Sequence, residues 1–488
     1  MKSSVTHGYI SRILGFCTLL PIIKDKLGSF EDSSNYRSIA ISSVILKLFD
    51  WVLILLYNDK LHLDHLQFSY QKNCSTSMCT WMVIETIDYF MRNGSDVFVC
   101  TMDMSKAFDN VRHSLLFNKL LERGIPPIIL RFIIYMYEVQ TANVRWNSEV
   151  SSHFKLKNGV KQGGVLSALF YCVYTDDLFN NLRKERNGCW VSGEYMGILG
   201  YADDNVLLSP TIDGLQCMLR VCEEYAKEHN LTFSTNINVN KSKTKCMAFT
   251  KCDRALPSMS LNGNNLPWVK SIKHLGNKVE NKIDGMCQDM KEKRAQFIQR
   301  NNEICQEFSF ADPQTKIKLN DIYNSHFTGS NTWNLFCKEA ESIEKTWNVA
   351  MRKMLGIDRC THKYFVEPLS GTTHISTRLM KRFAVFIKKI ESTNKIPMRV
   401  LYKTIRRDCR SVTGRNLRNI MLLVNAENVD AISAKSFSAI RYHDADDIVK
   451  YQSIEMAKEL IEVRSRNMYI DNMGIVDINE ILDHICIS

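Results

Sequence analysis

Two short apolar runs, each carrying acids, constrain the fold of these 488 residues more than any bulk property. In residues 97–109, VFVCTMDMSKAFD, a run rich in β-branched residues stops at Asp103, the pattern of a strand that delivers a carboxylate to its own C-terminal end. Residues 105–123 then read as a helix closed by Gly124, with Ser105 as N-cap and Ala107, Val111, Leu115, Leu116 and Leu120 on the buried face. In residues 195–210, YMGILGYADDNVLLSP, two apolar runs flank Ala202, Asp203, Asp204 and Asn205, which reads as a β-hairpin with acids at its turn. Taken singly, a strand-end Asp is usually a cap, and an Asp pair in a turn satisfies local backbone donors.

Three acids meeting in one place need a further reason, and nucleotidyl transfer supplies one. Two divalent cations about 3.5–4 Å apart are held there by carboxylates, one activating the attacking hydroxyl and one stabilising the leaving pyrophosphate. Adjacent strands can present such carboxylates if the roughly one hundred residues between Asp103 and Asp203 fold back on themselves.

Bulk properties narrow the setting. A composition 45% hydrophobic and 24% charged, with only nine Pro and 21 Gly, excludes a disordered or collagen-like chain and predicts about three folded units. The most lipid-like stretch, residues 39–57, is interrupted by Lys47 and Asp50, so no membrane-spanning helix is expected, and the N-terminus is a poor match to a secretion signal. An intracellular protein, in nucleus or cytoplasm, is the expectation. The 16 Cys include no Cys-x-x-Cys pair, which favours scattered reduced thiols over a zinc module; Cys360 with His362 is the one tempting metal pair and has no partners at finger spacing. Charge is segregated. Residues 345–420 hold 18 basic against 4 acidic side chains, whereas residues 421–488 hold 6 against 12. The basic segment suits a polyanionic partner, although Lys381, Arg382, Lys388 and Lys389 also read as the polar face of an amphipathic helix whose stripe is Leu379, Phe383, Phe386 and Ile387.

The ordered motifs resemble those of reverse transcriptases from non-LTR, LINE-like retrotransposons. DMSKAFD from Asp103 and YADD from Tyr201 resemble motifs A and C. Ahead of them Pro21–Lys24 and NYRSI, residues 35–39, resemble the fingers signature; QFSYQKNCST, residues 67–76, resembles the next block. NGVKQGGVLS, residues 158–167, resembles motif B, NKSKT, residues 240–244, the end of motif D, and His274, Leu275 and Gly276 the primer-grip hairpin. Ser38, Ser69, Ala168 and His274 stand where the family usually has Pro, Gly, Pro and Tyr.

The resemblance implies an α+β right-hand polymerase fold, with fingers and an antiparallel palm sheet over residues 1–285, a helical thumb over 286–345, a basic helical connector over 346–420 and an acidic segment of unassigned role over 421–488. It implies RNA-directed DNA polymerisation: Asp103, Asp203 and Asp204 hold two Mg²⁺ or Mn²⁺ ions, and Lys24 and Arg37 embrace the incoming triphosphate. Phe108 gates against a 2′-hydroxyl, Gln162 and Gly163 approach the template base and nucleotide, and Lys243 neutralises or protonates the leaving pyrophosphate. The partners implied are an RNA template, a DNA primer or RNA–DNA hybrid, and deoxynucleoside triphosphates. Such elements generally encode an endonuclease upstream that nothing here resembles, so a fragment or truncated copy is expected, and a catalytically inactive nucleic-acid-binding remnant is the alternative.

Overall fold

The computed structural model describes residues 2–432 apart from 26–27, 237, 239–241, 252–254, 283–285, 325–326, 362 and 430. His362, Asn240 and most of the acidic segment therefore lie outside the described residues. The chain divides into two compact units, Met1–Ile272 with Lys395–Val400, and Lys273–Asn394 with Leu401–Ser488.

In the first unit, helices α1 (Lys2–His7) and α2 (Arg12–Gly15) precede strands β1 (Phe16–Ile23) and β2 (Tyr36–Ser42), which pair antiparallel. The lipid-like stretch is thus split: it begins as strand, and Ser43 accepts a hydrogen bond from Ile45 N–H at the start of helix α3 (Val44–Tyr57). Leu46, Phe49 and Leu53 of α3 are buried, while Val44, Ile45, Leu48, Trp51, Leu55 and Leu56 stay exposed. No helix among the described residues is long and apolar enough to cross a membrane.

Helix α4 (Thr76–Arg92) leads into β3 (Val97–Met102), and helices α5 (His113–Glu122) and α6 (Pro127–Glu138) follow. Strands β4 (Thr141–Trp146), β5 (Glu149–Val150) and β6 (Phe154–Lys155) extend the first sheet, β4 running parallel to β1. Helices α7 (Val165–Thr175) and α8 (Asp177–Lys184), a small hairpin of β7 (Trp190–Val191) and β8 (Glu194–Tyr195), then β9 (Ile198–Tyr201) and β10 (Asp204–Ser209) come next. Helix α9 (Ile212–Glu228) and β11 (Lys245–Phe249) complete a four-stranded antiparallel sheet ordered β11-β3-β10-β9. Five of the six residues of β3 are buried, as a central strand covered by helices requires; α4 and α9 both pack on this sheet.

The helix expected to begin at Ser105 does not. Residues 105–110 form turns, with Lys106 left-handed at φ 49°, and α5 starts only at His113. Carbonyls that a helix would use are taken elsewhere: Val160 N–H donates to Phe108 O at 2.8 Å and Gly159 N–H to Val111 O at 2.9 Å. Ser105 N–H donates to Thr232 O, and with no helix starting after it Ser105 caps none. Most of the expected apolar face survives the shift: Ala107, Val111, Leu116 and Leu120 are buried, while Leu115 is only half-buried. Gly159 lies under this turn at φ +82°, and a Cβ there would stand 2.9 Å from Asp109 Cα and O and from Phe108 O. Gly159→Ala should therefore cost about 2 kcal/mol or more of unfolding free energy in denaturant titrations, because backbone opposes backbone and an L-residue is strained in the left-handed region.

After the hairpin of β12 (Met259–Leu261) and β13 (Asn264–Leu266), a second hairpin of β14 (Ser271–His274) and β15 (Asn277–Glu280) carries the chain from the first unit, which ends at Ile272, into the second. Leu275 and Gly276 join its strands with φ 46° and 83°, both left-handed as a two-residue hairpin loop requires. His274 is buried, which pushes its pKa down to about 4 and keeps it neutral. The described chain from Cys287 on is helical: α10 (Cys287–Glu307), α11 (Pro313–Tyr323), α12 (Lys338–Leu355), α13 (Lys363–Ser370), α14 (Ile375–Glu391), α15 (Ile396–Ile405), whose first half falls in the first unit's segment Lys395–Val400, and α16 (Val412–Leu423). The stripe Leu379, Phe383, Phe386 and Ile387 of α14 is buried, as its spacing predicts, and α12 buries Ile343, Trp347, Ala350 and Met351 at helical spacing, with Leu355 half-buried. The basic residues of α14 are not simply its wet face: Lys389 is exposed, but Lys381, Arg382 and Lys388 are half-buried and Lys388 Nζ donates to Ile432 O at 2.8 Å.

Candidate active site

The antiparallel register carries the acids to one end of the sheet. Met102 pairs with Asn205, so Asp103 and Asp204 emerge from adjacent strands, and Tyr201 pairs with Asp204 across a turn made of Ala202 and Asp203. Backbone contacts fix Asp103 independently of its carboxylate: its carbonyl accepts from Ser234 N–H at 2.7 Å. The three carboxylates sense each other. Burial first, then the charges of Asp203 and Asp103, push Asp204 up to about 6 even though its side chain reaches solvent, and the nearby Arg37 only partly offsets this. Asp203 is raised for the same reasons, burial foremost, with Asp103 adding repulsion.

A cationic group faces them. Arg37 and Lys24 lie on the β1–β2 hairpin, where Ile22 pairs with Arg37 and Lys24 N–H donates to Asn35 O. Lys243, exposed, brings its Nζ to 4.0 Å from Asp103 Oδ2. The pKa of Lys24 is lowered, chiefly by burial and then by Lys243 and Arg37, while Asp109 and Asp103 draw it back up. Lys24, Arg37, Lys243 and the three acids thus share one electrostatic neighbourhood.

Phe108, in the turn after Asp103, stacks on Tyr171 of α7 with ring centroids 4.8 Å apart, and Tyr171 Oη donates to Met104 Sδ at 2.9 Å. The loop before α7 is held to the β1–β2 sheet, Ala40 N–H donating to Gln162 O at 2.7 Å. Gly163 has φ +102° and its missing Cβ would sit 3.1 Å from Ala40 O, so this position needs glycine for both space and conformation. Of the site residues the resemblance implies, Asp103, Asp203, Asp204, Lys24, Arg37 and Lys243 share the charged cluster, and Phe108 and the Gln162–Gly163 loop lie on the elements beside it.

Several residues of this region are not prominent in the sequence. Ala202 is left-handed at φ 60°, a strained conformation for a residue with a Cβ. Its N–H donates to both Gln67 Oε1 and Ser69 Oγ at 2.9 Å. Ser69 Oγ donates in turn to Gln67 Oε1 at 2.8 Å and lies 3.1 Å from Cys172 Sγ. The serine that replaces the family's glycine therefore holds the acidic turn. Behind the Gln162 loop, buried Asp50 accepts from Leu166 N–H, and burial drives its pKa up to about 6 despite Lys161 nearby. Both line a cavity of about 20 Å³, room for one water.

The donor set fits hard divalent cations: oxygen ligands only, crowded enough that Asp203 and Asp204 hold protons more tightly, and open to solvent at Asp204. Antiparallel strands presenting such acids opposite a cluster of cations are the arrangement of a nucleic-acid polymerase palm. The chain belongs to the reverse transcriptase (RNA-dependent DNA polymerase) family, whose sequence model matches residues 23–279, more than half of it. Its relatives are reverse transcriptases of non-LTR elements. The Pol polyprotein of a type-1 R2 retrotransposable element from Nasonia vitripennis is 26% identical over 200 residues, 41% of this chain and 19% of that protein. The RNA-directed DNA polymerase from mobile element jockey of Drosophila funebris is 29% identical over 183 residues, 36% of this chain and 19% of that protein. The chain thus spans about a fifth of the length of these relatives. Among solved structures, Candida tropicalis telomerase with a telomeric RNA fragment is similar at a TM-score of 0.39 and 12% identity, covering 80% of this chain and 64% of that one. The family uses divalent metal ions and acts on a nucleic-acid template and primer.

Proposed function

We propose that this chain extends a DNA primer on an RNA template from deoxynucleoside triphosphates. The observation that supports this reading most strongly is the meeting of Asp103, Asp203 and Asp204 with Lys24, Arg37 and Lys243. Asp103, Asp203 and Asp204 would hold two Mg²⁺ or Mn²⁺ ions, which when bound supply Lewis-acid stabilisation of the attacking and leaving oxygens. The primer 3′-oxygen forms a bond to the α-phosphorus as the bond to pyrophosphate breaks. Arg37 and Lys24 orient the triphosphate through charge-assisted hydrogen bonds. Lys243, beside Asp103, neutralises the departing pyrophosphate, while the hydroxyl proton leaves to solvent. Residues 286–345 act as thumb and 346–420 as a basic connector gripping phosphates, which predicts duplex binding that weakens steeply with salt.

Primer extension on an annealed RNA template tests this reading. Asp203→Ala should abolish extension while leaving retention of the duplex in electrophoresis; undiminished extension by that variant refutes the site. Duplex retention without extension by the unaltered chain would instead mark a binding remnant. The stacking of Phe108 on Tyr171 supports a rigid wall beside the sugar. Phe108→Ala should raise ribonucleotide relative to deoxynucleotide incorporation by about 100-fold, because one well-packed contact discriminates substrates by a few kcal/mol. Unchanged selectivity would place the gate elsewhere.

A further inference from the structure

Lys395 lies 191 positions after Asp204 and outside every motif noted above, yet it belongs with the first unit, in the segment Lys395–Val400. It is only 4% exposed. Its Nζ donates to His65 O at 2.8 Å, Gln67 O at 2.8 Å and Gln71 Oε1 at 3.2 Å, and stands 4.7 Å from the Phe68 ring centroid. All three acceptors are neutral oxygens. A buried ammonium is costly unless its protons are matched, and here three acceptors and an aromatic face converge on it.

The segment it grips is the one that holds the acidic turn. Phe68 N–H donates to Gly200 O at 2.8 Å and Gly200 N–H to Leu66 O at 2.9 Å, so Gln67 makes a parallel bridge to Gly200 of β9. Around that bridge Gln67 and Ser69 reach the strained Ala202 N–H, one residue before Asp203. Gln71 Nε2 donates back to Gln67 O at 2.7 Å, closing a ring of acceptors around the ammonium.

We propose that Lys395 is a positioning residue for the carboxylates of the YADD turn, acting through residues 65–71. Without its ammonium, the carbonyl of His65 loses the donation from Lys395 and that of Gln67 keeps only Gln71 Nε2, residues 65–71 loosen beside β9, and Ala202 is no longer held in its left-handed conformation. Asp203 and Asp204 then sample more than one placement. The inference rests on the polymerase reading for its effect on turnover, but its structural core does not.

The test uses the full chain. Lys395→Met keeps the length of the side chain and removes the donor. Hydrogen exchange in peptides covering residues 198–205 should quicken about tenfold, with peptides covering 97–102 unchanged, since the loss is local. In primer extension kcat should fall about tenfold with little change in KM for the nucleotide, because misplaced ligands weaken the transition state more than ground-state binding. The reciprocal swap Lys395→Gln with Gln71→Lys, which returns an ammonium to the same carbonyls, should restore both readouts. Met398→Ala, a cavity in the same segment with no polar tie to residues 65–71, controls for stability. Wild-type exchange at 198–205 in Lys395→Met, or equal loosening in Met398→Ala, overturns the proposal. A wild-type chain that extends no primer would sink the polymerase reading alone, and the exchange comparison would still decide the role of Lys395.

Discussion

Asn in place of Asp103 should slow single-turnover primer extension by about 10³-fold or more, with the fold intact. The substitution conserves volume and removes one charge from a cluster whose job is to gather cations. Nothing structural depends on that charge. Asp103 is fixed by its own backbone, the carbonyl receiving Ser234 N–H and the strand before it paired on both sides by β10 and β11. The ion pair to Lys243 is long, at 4.0 Å between a side chain 68% exposed and one 39% exposed, so its loss should hardly register in stability. The two effects therefore separate: extension collapses while the thermal midpoint holds or rises, because two neighbouring carboxylates are relieved of a repelling charge. Extension by Asp103→Asn within tenfold of wild type would remove Asp103 from the centre.

Much of this site is legible in the sequence because its parts are local. A strand that stops at an acid and a hairpin that turns on two acids are read from periods of two and from turn chemistry, and β3, β9 and β10 lie where those patterns put them. The start of α5 was not legible: apolar spacing over residues 105–123 is helical, but the carbonyls of Phe108 and Val111 are claimed by Val160 and Gly159, about fifty residues later, and tertiary hydrogen bonds override local propensity. The same holds for the cradle of Ala202. Gln67 and Ser69 sit about 135 residues before the turn they hold, and Lys395 more than 320 after the carbonyls it binds. No periodicity reports such pairings. Ser69 illustrates the difference: as a departure from the family's glycine it reads as a defect, whereas in the fold its hydroxyl is a second acceptor for a strained amide. Asp50 and Lys161 were equally hidden, since a charge within an apolar helix or loop looks solvated until the packing around it is known.

The raised acids also set a pH dependence whose sign is opposite to that of most carboxylates. Asp204 titrates near 6 in the folded chain against an ordinary value of 3.8, so between those values the unfolded state has released a proton that the folded state keeps. Stability of the metal-free chain contributed by this group is accordingly full below about pH 4, declines as pH rises through the window, and stays lost above about pH 6. Asp203, raised in the same direction, adds to the effect. Asp204→Asn should melt together with wild type near pH 4.5 and above it near pH 7.5, the gap opening across the window in scans done with chelator. Divalent cations compete with those protons. At about pH 7.5 added Mn²⁺ should raise the wild-type melting temperature in proportion to the logarithm of its concentration, and below pH 6 its apparent affinity should fall about tenfold per pH unit for each proton displaced. Asp204→Asn should lose most of the response to Mn²⁺ at every pH. A wild-type chain whose midpoint ignores Mn²⁺, or responds to it equally at pH 5 and pH 7.5, would show that these carboxylates do not form a cation site.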